Sequence, residues 1–376
     1  MTLTNYLVDA YIDVNILLII ALTIWATTRF ILLRLGFSQA FCLQLRLLNG
    51  VFVAVAFSPL FVMAFDFLLQ KGAVAQTYAL GLSDLVLAQY LSGGFSMQPS
   101  RLEHLLGLRG ELITGFVDFK TTGAMIVVAM AFVGFVLVLL RLIHSIWTLE
   151  RIVQNSFEWR RFGNLHLRVS DRIHVPFSTR GLKRRYIVFP AAMLAHSDDL
   201  KMALAHEFQH LRQGDIEWEI ALEALRPLFF WNPAFIFGKR QVEQLRELSC
   251  DQSVVRSTQF DGHAYCECLL RVCRNGLHPR AQRVLLVSSV PFVQVETSFL
   301  GVNSVDFLRR RMASVFDAEQ VPQGDSLSRY LQGLLMSLVI LISIGLTCQS
   351  DWSQDRLMFS AIVNLERLHG PIQFGG

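Results

Sequence analysis

With 376 residues, 53% of them hydrophobic, 29 phenylalanines and a mean hydropathy of +0.42, the chain is too apolar for an ordinary water-soluble domain and reads as a membrane protein. Its net charge is only +4. Membrane orientation and anionic inner-leaflet lipid account for its arginine clusters, which argues against direct binding of nucleic acid.

In chain order, the first apolar run, about Val14 to Thr28, can cross a bilayer. It starts too deep for a signal peptide and lacks a basic lead and a small-residue cleavage site, so it is expected to be retained. A second span covers about Val51 to Leu69, with Asp66 read as interfacial rather than as a proton relay. The segment from Lys71 to Thr121 follows as an outer loop, with Ser83 capping an apolar stretch that stops at Gly93-Gly94 and a capping box at Ser100-x-x-Glu103. The third span covers about Ala124 to Leu140, and with no breaker before Gly163 its helix is expected to run on through Trp147, Ile152 and Trp159. A fourth lies at about Tyr330 to Leu346. Arg29, Arg34 and Arg46 sit between spans one and two without an acid, Arg141, Arg151, Arg160 and Arg161 follow span three, and Arg309, Arg310, Arg311 and Arg329 precede span four. The positive-inside rule then puts both termini outside and the segment between spans three and four in the cytoplasm.

That segment opens with Leu165 to Val169, which alternates with period two, and Tyr186 to Phe189, separated by a turn-rich stretch containing Pro176 and Gly181. They predict a small sheet, either an edge that holds an extended substrate or plain scaffolding. A helix follows: Ser197 as its cap, Asp198 and Asp199 at its positive end, Gly214 as its left-handed stop. Within it stands His206-Glu207-Phe208-Gln209-His210, two imidazoles four residues apart on one face with a carboxylate beside them, the pattern that grips zinc and takes a proton from an activated water. A second helix beginning near Pro233 carries Glu247, the preferred third ligand, with Glu243 on the same face as its competitor. Three ligands leave a coordination position open for catalysis.

Between these helices, Ile216 to Phe237 is apolar and aromatic, broken by Pro227 and Pro233, and is expected to pack against the spans or dip into the inner leaflet. Cys250, Cys266, Cys268 and Cys273 read as packed thiols, because a C-x-C pair on a helix points to different faces. Asn232 and His263 are candidate oxyanion donors, set against plain structural roles. An amphipathic helix from Ser304 through Phe307 to Met312 precedes span four.

His206, Glu207, His210 and Asp215, then Trp231-Asn232-Pro233, then Arg246-Glu247-Leu248-Ser249-Cys250-Asp251 together resemble the BlaR/MecR-type membrane metallopeptidases, a gluzincin family of antirepressor proteases. The likeness spans about Val14 to Leu346. It implies a zinc-dependent endopeptidase with His206, His210 and Glu247 as Zn2+ ligands, Glu207 as general base, and Asp251 and Asp215 orienting the ligand histidines. It also implies a bacterial inner-membrane location and a cytoplasmic protein substrate such as a transcriptional regulator, with autocleavage equally compatible and a homodimer as one state of the chain. No Ser-x-x-Lys motif occurs, so acylation by a β-lactam is not expected, and Leu182-Lys183-Arg184-Arg185 departs from the apolar turn usual in the family.

The expected fold is thus a mainly α membrane protein with four transmembrane helices and a cytoplasmic gluzincin-like α+β metalloprotease domain between helices three and four. Its parts are a membrane domain (1–148, outer loop at about 71–121), the protease domain (149–328), the fourth span (329–348) and a short outer tail (349–376). The rival readings are an intramembrane protease with H-E-x-x-H inside a span, a transporter, and a non-proteolytic receptor or scaffold with a structural or vestigial metal site.

Overall fold

The computed structural model describes residues 3–71, 87, 89–93, 97–104, 122–181, 183–258, 260–276, 290–291, 304–317, 325–347 and 359–364. Ser83, Gly94, the Asp66 side chain and most of the outer loop fall outside them. Helices dominate: α1 (Leu3–Arg34), α2 (Phe41–Gln70), α3 (Thr122–Gln154), α4 (Ser197–Gln213), α5 (Asp215–Phe229), α6 (Pro233–Thr258), α7 (Gly262–Gly276), α8 (Ser304–Phe316) and α9 (Asp325–Thr347).

Four of these are long and apolar enough to cross a membrane, over Leu7–Arg34, Phe41–Phe65, Met125–Gln154 and Ser328–Leu346. Each overlaps one of the expected spans, and the H-E-x-x-H helix is not among them. Pro59 inside α2 cannot donate to the Val55 carbonyl. The Ser58 hydroxyl donates to that oxygen instead, at 2.8 Å, so the helix continues without an orphaned acceptor.

The chain divides into two compact units. One comprises Met1–Trp25, Asn49–Phe132 and Ser326–Gly376. In it, Leu87, Leu102, Phe359 and Val363 form a small core, and the helical turn at 99–104 starts at Pro99, one residue before Ser100. The other comprises Ala26–Leu48 and Val133–Asp325, so the turn between α1 and α2 belongs with the H-E-x-x-H helix.

The second unit holds a sheet of order β1-β2-β4-β3-β5, built from β1 (Phe157–Phe162), β2 (Leu165–Ser170), β3 (Phe177–Arg180), β4 (Arg185–Pro190) and β5 (Val290–Pro291). Strands β2 and β4 pair in parallel; the other pairings are antiparallel. The two expected strands are β2 and β4. Trp159 corrects the expectation of a continuous helix: α3 stops at Gln154, and Phe157-Glu-Trp-Arg-Arg-Phe, rich in aromatics that suit a pleated surface, pairs with β2 through the turn at Gly163. The supposed turn-rich stretch contains a strand as well, β3, antiparallel to β4. Sheet and helices enclose one core, with Ile187, Phe189, Leu211, Cys250, Tyr265 and Leu269 among its buried members.

Local signals explain where the helices break. Gly214 has φ +76° and its N–H bonds the His210 carbonyl, a left-handed stop that a side chain would strain. At the other end Ser197 lies inside α4; His196 holds the cap position and no side chain caps the helix. The charge there is met instead by Arg271 on α7, which donates to both Asp199 oxygens at 2.9 and 2.6 Å. The Asn232 Oδ1 accepts the Ala234 N–H at 2.9 Å, so this buried residue starts α6. Phe230 in the apolar stretch presses on α3, where a Cβ built at Gly134 would lie 2.5 Å from its ring. Ile220, Leu228, Trp231, Ile236 and Phe237 remain exposed.

Candidate metal centre

His206, Glu207, His210, Glu247 and Asp251 are each 0% exposed, an unusual concentration of ionisable groups away from water. The first three come from α4, the last two from one face of α6, where a spacing of four repeats. The two Nε2 atoms stand 2.9 Å apart, and the Glu247 carboxylate lies 3.5 Å from each.

The outer nitrogens of both rings are already committed. His210 Nδ1 lies 2.7 Å from Asp215 Oδ2, and a carboxylate can only accept, so the proton sits on Nδ1. His206 Nδ1 lies 2.9 Å from the Tyr265 hydroxyl and 3.2 Å from Asp251 Oδ1, and the Tyr265 hydroxyl in turn donates to Asp251 at 2.8 Å. These partners fix the tautomer with both Nε2 lone pairs pointing at one another. Two lone pairs 2.9 Å apart need a cation between them, a proton or a metal. Among the described residues no hydrogen bond reaches the Glu207 oxygens, and Glu247 is met by ion pairing with Arg311 rather than by a hydrogen bond. Two acceptor nitrogens and a carboxylate on one point are the donor set that a divalent transition metal takes.

The Cys250 thiol also qualifies: His206, His210 and Cys250 offer ligand atoms within 4.8 Å of one another. It approaches the Nδ1 edge of His206, at 3.6 Å, and donates to the His206 carbonyl at 3.5 Å. That edge faces away from the Nε2 pair, which Glu247 meets. Glu243 is engaged elsewhere, by Lys239, in a cluster where Lys239 Nζ also lies 2.9 Å from Glu219 and 3.0 Å from Glu223. His263 is exposed, its ring 5.0 Å from Phe316.

Burial pushes the Glu207 carboxyl above its usual range, and the neighbouring imidazoles only partly oppose this. A carboxyl raised in this way holds a proton more readily than an ordinary carboxylate, which suits a group that accepts one and returns it. Glu247 goes the other way: burial would raise it, but the Arg311 guanidinium and the imidazoles outweigh burial and keep it ionised. Asp251 is likewise held well below the carboxylate range against burial, again by Arg311.

Arg311 and Tyr265 are absent from the sequence-based site. Arg311 donates to Asp251 through Nε at 2.7 Å and Nη2 at 2.8 Å, and its Nη1 is 3.2 Å from Glu247. It is 2% exposed, so this member of the arginine run before the last span belongs to the site rather than to the set of orienting surface charges. A signal was present: Leu308, Arg311, Met312 and Val315 share one helix stripe, and a charge on an apolar stripe calls for a buried partner. Ser178 on β3 lies beside Glu207 and slightly offsets its shift, which brings the strand up to the general-base candidate.

Residues 115–284 match the family model described as BlaR1 peptidase M56. No curated protein matches the chain.

Proposed function

We propose, on the match of residues 115–284 to the BlaR1 peptidase M56 model and the four membrane-length helices, that the chain is a membrane metallopeptidase of the BlaR/MecR type, a zinc-dependent endopeptidase that cleaves a cytoplasmic protein, either a regulator or the chain itself. His206, His210 and Glu247 hold the metal; Glu207 is the general base. The observation that carries this reading is the pair of Nε2 atoms 2.9 Å apart, with both Nδ1 protons committed and the Glu247 carboxylate 3.5 Å from each ring.

A zinc ion bound there supplies Lewis acidity, polarising the scissile carbonyl and acidifying the attacking water. Glu207 accepts the proton of that water and returns it to the leaving amine, a double duty for which its raised pKa suits it. Asp215 and Tyr265 hold the imidazoles in the tautomer that binds metal. Strand β3 supports a docking role for the sheet: it approaches Glu207 through Ser178, and its outer edge already accepts an antiparallel segment, with Phe177 opposite Pro291 and Ser178 opposite Val290. An extended substrate would bond the same edge, and β5 would have to yield to it. The exposed Leu228, Trp231 and Phe237 near the start of α6 support a site held at the inner membrane surface.

The test compares protein fragments in cells that carry the intact chain and the Glu207→Ala variant, with zinc measured in both purified proteins. The variant is expected to keep its zinc and lose at least one fragment. A variant that keeps zinc and still cuts refutes the role of Glu207, and an intact chain without zinc refutes the metal centre.

A further inference from the structure

We infer that Arg311 is a positioning residue for Glu247, and that α8, which carries it, is the element through which the turn between α1 and α2 bears on the site. The inference rests on the reading of Glu247 as a metal ligand and adds to it a route of regulation.

Arg311 is a fork with both prongs used. Two N–H groups go to Asp251 and a third nitrogen lies 3.2 Å from Glu247, so one planar group sets the spacing of two carboxylates a helical turn apart on α6. It also closes the charge balance. Glu207, Glu247 and Asp251 are buried carboxylates beside Arg311, and Asp215 is a fourth that meets His210 with Arg246 nearby; a dication and the Arg311 guanidinium offset the first three. Without Arg311 a buried negative charge is left over, and Glu247 is free to rotate away from the imidazoles.

The far end of α8 is held just as specifically. Asp317, one residue past the helix, accepts a hydrogen bond from Gln39 Nε2 at 2.8 Å. The Gln39 backbone carbonyl accepts from Gln252 Nε2 at 3.2 Å, and Gln252 follows Asp251 on α6. Gln39 therefore ties α8 to α6 beside the carboxylate that Arg311 grips. Gln39 lies in the turn between two membrane-crossing helices, and α1 is joined to α6 again by a hydrogen bond from Arg29 to Gln241. A shift of that turn bears on both Asp317 and Gln252, and a fork bonded twice to Asp251 and paired with Glu247 loses its geometry within about an ångström. The route is a chain of packed helices and hydrogen bonds with one sensitive end, Glu247.

The experiment uses the full-length chain in detergent micelles with cobalt as the probe, reading its visible d–d absorption and its affinity by chelator competition, with folding followed by circular dichroism. Arg311→Met is expected to weaken cobalt binding about 10–100-fold and to shift the absorption band. Arg311→Lys should recover only part of the affinity, because an ammonium is a point charge that cannot hold both carboxylates. Asp317→Ala, remote from the metal, should shift the same band in the same direction by less. If Arg311→Met fails to fold, Arg311→Lys decides: a wild-type band and affinity overturn the positioning role. An unchanged band in Asp317→Ala overturns the route through α8. A wild-type chain that takes up no cobalt overturns the metal centre itself, a failure seen before any variant is compared.

Discussion

The His206 imidazole and the Tyr265 hydroxyl, 59 positions apart in the chain, meet at 2.9 Å with both groups fully buried. The hydroxyl takes the Nδ1 proton and passes its own to Asp251 at 2.8 Å, so a phenol sets which nitrogen of His206 is left for metal. Tyr265→Phe removes both bonds and leaves Asp251 to accept from His206 at a longer 3.2 Å. We expect a loss of about 1–2 kcal/mol in thermal stability and about a tenfold drop in zinc affinity by chelator competition. Wild-type affinity in this variant would show that Asp251 alone suffices.

His210 depends in the same way on Asp215, and here two substitutions separate charge from tautomer. Asp215→Ala removes the acceptor at 2.7 Å. Asp215→Asn puts an amide there that can donate to Nδ1, which moves the imidazole proton onto Nε2 and blocks coordination. Zinc content should therefore fall further in the asparagine variant than in the alanine variant. The reverse order would show that Asp215 acts mainly through its charge.

Glu219 links folding to acid. Burial opposes its ionisation, but Lys239 and Arg246 overcome this and hold its pKa below the usual carboxylate value. A depressed folded pKa stabilises above the unfolded value of about 4.3, and the contribution is lost as pH falls below it. Glu243, which burial raises, contributes with the opposite sign, whereas Asp251, Glu247 and Asp199 are depressed as Glu219 is and add to the acid-side loss, so the share of Glu219 is the part that its substitution removes. Melting temperature should drop steeply below about pH 4.3 in the wild type. Glu219→Gln should flatten that drop while costing about 3–5 kcal/mol at neutral pH, since Lys239 and Arg246 lose a buried partner.

Gly134 is a steric prediction. Any side chain there meets the Phe230 ring, with the nearest atoms 2.5 and 2.6 Å from a Cβ. Gly134→Leu should destabilise the second unit by about 1–3 kcal/mol, seen as a lower melting temperature, and Phe230→Ala in the same chain should return part of it. No rescue by the second change would mean that the two residues do not pack in solution.

The candidate motif was readable because its logic is local. Two histidines and an acid on one helix, a glycine stop and a glutamate on a later helix all follow from spacing, and the structure sets Glu247 against both imidazoles while Glu243 turns to Lys239. Tyr265 and Arg311 reach the site from helices far along the chain, and only the apolar stripe around Arg311 hinted at its burial. Trp159 was read as helical because nothing before Gly163 breaks a helix; pairing with β2 decided otherwise, and pairing is a tertiary fact. The Ser197 cap failed because α4 starts one residue earlier, with His196 at the cap position and Ser197 inside the helix.

Sealing its carboxylates and Arg311 from water also settles how this centre responds to its surroundings. Mobile ions screen charges that solvent reaches, over about 8 Å at physiological ionic strength, and they have little purchase on groups with no exposed surface. Raising the salt concentration should therefore leave the grip on metal nearly untouched, whereas a chelator small enough to reach the cation will remove it.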